Sequence, residues 1–173
     1  FPRVNTADEA RDCVAAMRYP PHGVRGVAST NRACGFGNSF REYVEASRDS
    51  LLGVFQIETV EAISNVDEIA AVDGVDVLFI GPLDLSMSLG ILGQFDHPEF
   101  TKALELTAAA ARRHGKTTGV HMANPGMFDR YYELGFRFLA CGSDGAMVSQ
   151  GARSLAGALT SALGKHIAAA TGR

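Results

Sequence analysis

The chain has 173 residues, 46% of them hydrophobic and 20% charged, and a formal net charge of −3. That length suits one well-buried domain and is short for two, and the composition is that of an ordinary globular protein. The slight acidity gives no electrostatic reason to expect nucleic acid or an anionic membrane as partner, and no apolar stretch approaches the roughly 20 residues that cross a bilayer.

Phe1-Pro2-Arg3-Val4 reads as the tail of a strand, with no initiator Met and no signal peptide, so further chain is expected before it. Thr6 is a candidate N-cap, with Glu9 completing a capping box, for a helix running to about Met17 and stopping before Tyr19-Pro20-Pro21. His22 to Asn38, with Arg25 and Arg32, reads as a long loop, a length that in compact domains usually accompanies function. Phe40 to Ser47 reads as a short helix. Cys13, Cys34 and Cys141 are odd in number and widely spaced, which argues against structural zinc or a disulfide framework and fits a reducing cytoplasm.

The centre of the chain is a strand–helix–strand unit. Leu51 to Ile57 is a short apolar run that ends in Glu58-Thr59, and Val75 to Ile80 is a second, ending in Gly81-Pro82-Leu83-Asp84-Leu85-Ser86. Between them Ala62, Ile63, Val66, Ile69, Ala70 and Val72 recur at near-helical spacing, predicting one helix over 61–72. Met87 to Phe95 reads as a glycine-bearing loop, and His97-Pro98-Glu99 opens a helix to His114. Thr117 to His121 is a short strand, Phe128 to Leu134 a helix and Arg137 to Cys141 the last strand. An Ala-rich helix follows from about Ala146 to Ala170, with a break expected near Gly151. Strands alternating with helices in this way give about four parallel βα units. A complete (β/α)8 barrel needs about 250 residues, so the pattern reads as roughly the C-terminal two-thirds of one, forming a single partial-barrel domain over residues 1–173.

An acid just past the carboxyl end of two successive strands stands on the edge where parallel α/β folds bind ligands. Strands about 4.8 Å apart allow Glu58 and Asp84 to converge on one cation, and their hard oxygens suit magnesium, manganese or calcium. The competing reading is that each acid caps the next helix, Asp84 capping a turn at Leu85-Ser86-Met87. Gly81 leaves room for backbone N–H groups to approach an anion. Gln56 either hydrogen-bonds near the metal or points into a barrel core. His121 ends a strand on the same edge and reads equally as a mouth-lining group or a structural one. His22, His97, His114 and His166 read as surface or capping residues, and Arg25 and Arg32 as solvated unless they meet an anionic substrate.

Arg18-Tyr19-Pro20-Pro21-His22-Gly23-Val24-Arg25-Gly26, Gln56-Ile57-Glu58-Thr59, Gly74-Val75-Asp76 with Phe79-Ile80-Gly81-Pro82-Leu83-Asp84-Leu85-Ser86, and His97-Pro98-Glu99 together closely resemble the HpcH/HpaI aldolase family, in the family's order. The resemblance implies a (β/α)8 TIM barrel and a divalent-metal-dependent (class II) carbon–carbon lyase. Such an enzyme cleaves a hydroxy 2-keto acid to pyruvate and an aldehyde through an enolate that the metal stabilises. It implies Glu58 and Asp84 as metal ligands, with Mg2+ first and Mn2+ or Co2+ as alternatives. Gln56, Gly81, Pro82, Leu83 and Asp84 become substrate-binding residues, with amides around Leu83 and Asp84 on the pyruvate carboxylate. It further implies a cytoplasmic homo-oligomer, a hexamer or trimer of dimers, whose long last helix packs on a neighbouring subunit. The family's catalytic His, its partner Asp and the keto-polarising Arg would precede residue 1. Leu83 stands where the family usually has a small residue, and His121 where it usually has an apolar one. Oxaloacetate decarboxylation with capture of the enolate, as in macrophomate synthase, and a non-catalytic partial-barrel scaffold are the alternative readings.

Overall fold

Four short strands set the architecture: β1 (Val54–Ile57), β2 (Val77–Ile80), β3 (Thr117–Met122) and β4 (Phe138–Cys141). In the computed structural model, which describes residues 1–171 and side chains to residue 167, they form one parallel sheet in the order β1-β2-β3-β4. Parallel neighbours need crossovers, and helices supply them. Phe1–Val4, expected as a strand tail, is assigned no strand, but Phe1 lies along β1: its N donates to Val54 O (2.7 Å), and Gln56 N–H donates to Phe1 O (2.8 Å).

Register partners share a sheet face. Phe55 and Ile57 align with Leu78 and Ile80, and these with Thr118 and Val120. All four apolar residues of β1 and β2 on this face, and Val120, are fully buried. At about 1.5–3 kcal/mol for each fully buried large side chain, this layer is a main source of cohesion. The opposite face carries Gln56, Phe79, Gly119 and Phe138 in one row. Phe79 and Phe138 meet edge to face at 6.0 Å across Gly119, where a Cβ would stand 2.6 Å from the Phe79 ring. Glycine is required there by the two rings on either side.

The first helix, α1 (Ala7–Met17), carries the anticipated capping box: Glu9 N–H donates to Thr6 Oγ1, and Thr6 N–H donates to the Glu9 carboxylate. After it, a short 3-10 turn (Arg32–Gly37) interrupts the expected loop, and α2 (Phe40–Ser50) runs three residues beyond the predicted Phe40 to Ser47. The single helix predicted over 61–72 is two, α3 (Val60–Ser64) and α4 (Val66–Ala70), separated at Asn65. Asn65 turns its side chain to donate to Asn5 O (2.8 Å), and Thr59 Oγ1, which caps α3, also donates to Asn5 Oδ1. A tertiary contact with the amino-terminal segment thus replaces helix continuity.

The helix α5 (Pro82–Ser88) starts at once after β2 and takes up the first part of the expected Met87 to Phe95 loop. It is followed by α6 (Pro98–Arg113), capped by His97 Nδ1 accepting from Glu99 N–H, and by α7 (Phe128–Glu133) between β3 and β4. The last helix, α8 (Asp144–Thr171), is continuous through Gly151, so the predicted break is absent. A glycine in a helix interior costs only about 1 kcal/mol, and the flanking residues are good helix formers. No residue of α8 with a described side chain is buried. No helix among the described residues is long and apolar enough to cross a membrane.

Candidate functional site

At the carboxyl ends of β1, β2 and β3 lies a cavity of about 400 Å³. Gln56, Glu58, Gly81, Pro82, Leu83, Asp84 and His121 all line it, so every acid and amide group singled out on these strand ends shares one space. Phe95, Ala123, Met127 and Tyr131 complete the wall. The size is that of a small-ligand site.

Glu58 is the residue after β1 and is only 4% exposed. Its Oε1 accepts from Arg3 N–H (2.8 Å), an amide aimed by a left-handed φ of 53° at Arg3. Among the described residues its Oε2 receives no hydrogen bond. Asp84 is the third residue of α5, whose cap is Gly81 with Pro82 at the first position. The alternative in which Asp84 caps a turn at Leu85-Ser86-Met87 is therefore corrected: Asp84 sits inside the helix, and Ser86 is buried with its hydroxyl donating to Leu83 O. Neither Glu58 nor Asp84 takes part in an ion pair among the described residues. Buried carboxylates are ordinarily paired or bound to cations, since desolvating an unpaired charge is expensive. Gly81 links the two acids: a Cβ on residue 81 would stand 3.1 Å from Glu58 Cβ and closer still to Oε2.

The first-turn amides of α5 have no acceptor within the helix, a general consequence of helix geometry. Leu83 is 62% exposed, at the rim rather than in the core. Gln56 is half-buried on the face shared with Phe79. His121 is exposed, and its Nε2 lies 3.1 Å from Gly142 O, so that nitrogen carries the proton and donates.

Tyr131 is a site-lining residue that sequence reading missed; in sequence it is one more aromatic on a helix face. Its ring is fully buried against Phe136, and its hydroxyl has no hydrogen-bond partner among the described residues. Leaving such a group unsatisfied costs about 1–3 kcal/mol. Burial holds the phenol above its ordinary pKa, with the nearby Arg130 charge opposing the shift.

The remaining candidates lie elsewhere. Arg25 stacks over Tyr19 and donates to the Tyr43 hydroxyl (2.9 Å), and neither it nor Arg32 lines the cavity. His97 is a helix cap, His114 lies 3.1 Å from Asp67 Oδ1, His22 borders a separate cleft, and His166 lies exposed on α8. Among the described residues no group of three or more His, Cys, Asp and Glu side chains assembles as a metal cluster. Two carboxylates with open positions are the donor set available, and their oxygens fit a hard divalent cation.

Comparison with known proteins follows the same lines. The family model for HpcH/HpaI aldolase/citrate lyase matches residues 1–151. A 4-hydroxy-2-oxo-heptane-1,7-dioate aldolase of Salmonella typhimurium is 45% identical over 156 residues, which is 90% of this chain and 59% of the relative. The chain thus spans less than two thirds of that relative's length. Among solved structures, an HpcH/HpaI aldolase/citrate lyase family protein from Burkholderia cenocepacia superposes with a TM-score of 0.83 at 32% identity, covering 92% of this chain and 63% of that one. Macrophomate synthase superposes with a TM-score of 0.72 at 30% identity, covering 92% and 57%. The parallel α/β sheet, the strand-end cavity and these matches agree: the chain belongs to the HpcH/HpaI aldolase/citrate lyase family.

Proposed function

We propose that the cavity is the active site of a divalent-metal-dependent carbon–carbon lyase that cleaves a 4-hydroxy-2-keto acid to pyruvate and an aldehyde. One observation carries the reading: two carboxylates just past adjacent strand ends, one of them buried, line a single cavity with no cationic partner among the described residues. The aldolase named among the relatives supports the substrate class.

Glu58 and Asp84 would hold the metal, with Mg2+ first and Mn2+ or Co2+ as alternatives. When bound, a Lewis acid supplies charge stabilisation for the electron pair left on pyruvate as the bond breaks. The protein's own part is placement. Arg3 N–H fixes one oxygen of Glu58, and Gly81 leaves the other free to turn into the cavity. Leu83 and Asp84 would present first-turn N–H groups to the substrate carboxylate, Pro82, which has no N–H, starts the helix beside them, and Gln56 offers a polar contact from the sheet face. Leu83 borders the side on which the aldehyde departs.

In the same reading, residues 1–173 form one domain, an arc of a TIM barrel, in a cytoplasmic homo-oligomer that is a hexamer or trimer of dimers. Its α8 packs on a neighbouring subunit, which supplies cover for Leu155, Leu159 and Leu163, each more than 60% exposed. The likeness to macrophomate synthase supports a second use of the same pyruvate enolate, formed by decarboxylating oxaloacetate. A pyruvate-release assay over 4-hydroxy-2-keto acids and oxaloacetate, with and without EDTA, tests both. EDTA-sensitive release from a hydroxy keto acid is expected, and release indifferent to EDTA overturns the metal assignment.

A further inference from the structure

We propose that Tyr131 determines which aldehyde the site accepts, by donating its hydroxyl to an oxygen on the acceptor half of the substrate. The inference rests on the lyase reading above and extends it to specificity.

Tyr131 lies on α7, which follows β3, whereas the two carboxylates stand at the ends of β1 and β2. The cavity therefore has a carboxylate end and, farther along the sheet, an end walled by His121, Ala123, Met127 and Tyr131. Pyruvate is small against about 400 Å³, so the second end remains for the acceptor. Most of that wall is apolar. Tyr131 is its buried polar exception, with a hydroxyl that no group among the described residues satisfies. His121 commits its Nε2 proton to Gly142 O. Phenylalanine at 131 would keep the contact with Phe136 and carry no unsatisfied atom. Among the described residues the hydroxyl thus has no internal task, Tyr131 itself borders the site, and the neutral phenol carries a proton that it can donate to an acceptor oxygen.

The test compares two acceptors of nearly equal size in the full protein with Mg2+ and pyruvate: glycolaldehyde, which carries a hydroxyl, and propionaldehyde, which carries a methyl in its place. In Tyr131→Phe, kcat/KM for glycolaldehyde is expected to fall at least about tenfold, mainly through KM, while propionaldehyde is unchanged. Mn2+ affinity should be unaltered, and the melting temperature should hold within about 2 °C or rise, because no internal hydrogen bond is removed. Equal losses with both aldehydes, no loss with either (as when a trapped water satisfies the hydroxyl), or a clear drop in melting temperature overturns the proposal. If the unsubstituted protein adds pyruvate to neither aldehyde, the lyase reading fails and takes this inference with it. Activity on both, with Tyr131→Phe indifferent between them, sinks the Tyr131 role alone.

Discussion

Glu58 folds its carboxylate over the bare Cα of Gly81, in the space that any side chain at residue 81 would need. Gly81 has a φ of −92°, so alanine is permitted by the backbone and excluded only by Glu58. Gly81→Ala should therefore fold and melt close to the parent while turning Glu58 out of position. Metal affinity, read by Mn2+ titration, is expected to drop at least about tenfold, the scale seen when the groups that orient a ligand are lost. Unchanged affinity would show that Glu58 does not act from the position it holds here.

Glu58→Gln and Asp84→Asn remove charge at nearly constant volume. Each should lower metal-dependent turnover at least about 100-fold, the loss typical of a major electrostatic stabiliser. Without metal, Glu58→Gln should not destabilise the fold, because it relieves a buried carboxylate whose single N–H donor among the described residues is Arg3. Calorimetry with and without metal separates the two effects. Near-normal activity of either variant at limiting metal would remove that residue from the metal site.

The strand ends were legible because parallel α/β units write them as short apolar runs closed by Glu58-Thr59 and Gly81-Pro82. The capping box at Thr6 and Glu9 was legible for the same local reason. What escaped was nonlocal. The interruption at Asn65 depends on a contact with Asn5, 60 residues away in sequence. The continuity of α8 through Gly151 runs against the local glycine signal. Tyr131 shares the cavity with His121 and Ala123 at the end of β3, a placement that helix periodicity cannot encode.

Leu83 is largely exposed at the cavity rim, so Leu83→Ala should change stability by less than about 0.5 kcal/mol. The backbone amide at residue 83 remains, and affinity for pyruvate or oxalate should hardly move. Activity toward bulkier acceptors should rise. A parallel loss of affinity for every keto acid, measured by calorimetric titration, would place Leu83 in the carboxylate end instead.

Burial raises the Tyr131 phenol above the ordinary tyrosine value of about 10. A raised folded pKa stabilises the protein fully below the unfolded value, and the contribution is lost as pH rises through the folded one. Melting curves from pH 9 upward should show an alkaline loss of stability in the parent that is smaller in Tyr131→Phe. Because other groups titrate in the same window, the difference between the two proteins is the relevant quantity. Identical pH profiles would mean that the phenol is not held neutral by burial.

The 28 residues of α8 span about 42 Å at 1.5 Å per residue, yet none with a described side chain is buried. Helices draw most of their stability from packing an apolar face. Leu155, Leu159 and Leu163, at 70%, 71% and 61% exposure, recur every four residues on one side, and Ala152, Ala156 and Ala158 permit close approach of another helix. Covering such a stripe is worth about 1.5–3 kcal/mol for each large side chain fully buried. Deleting Leu155 to Arg173, of which residues 172 and 173 lie outside the described residues, should then lower the assembly mass in light scattering and the activity together. A subtler variant, Leu159→Glu, places a charge in the middle of the stripe without shortening the helix, and it should dissociate the assembly in a salt-independent manner while circular dichroism keeps its helical signal. An unchanged assembly mass in both variants would remove α8 from the subunit interface.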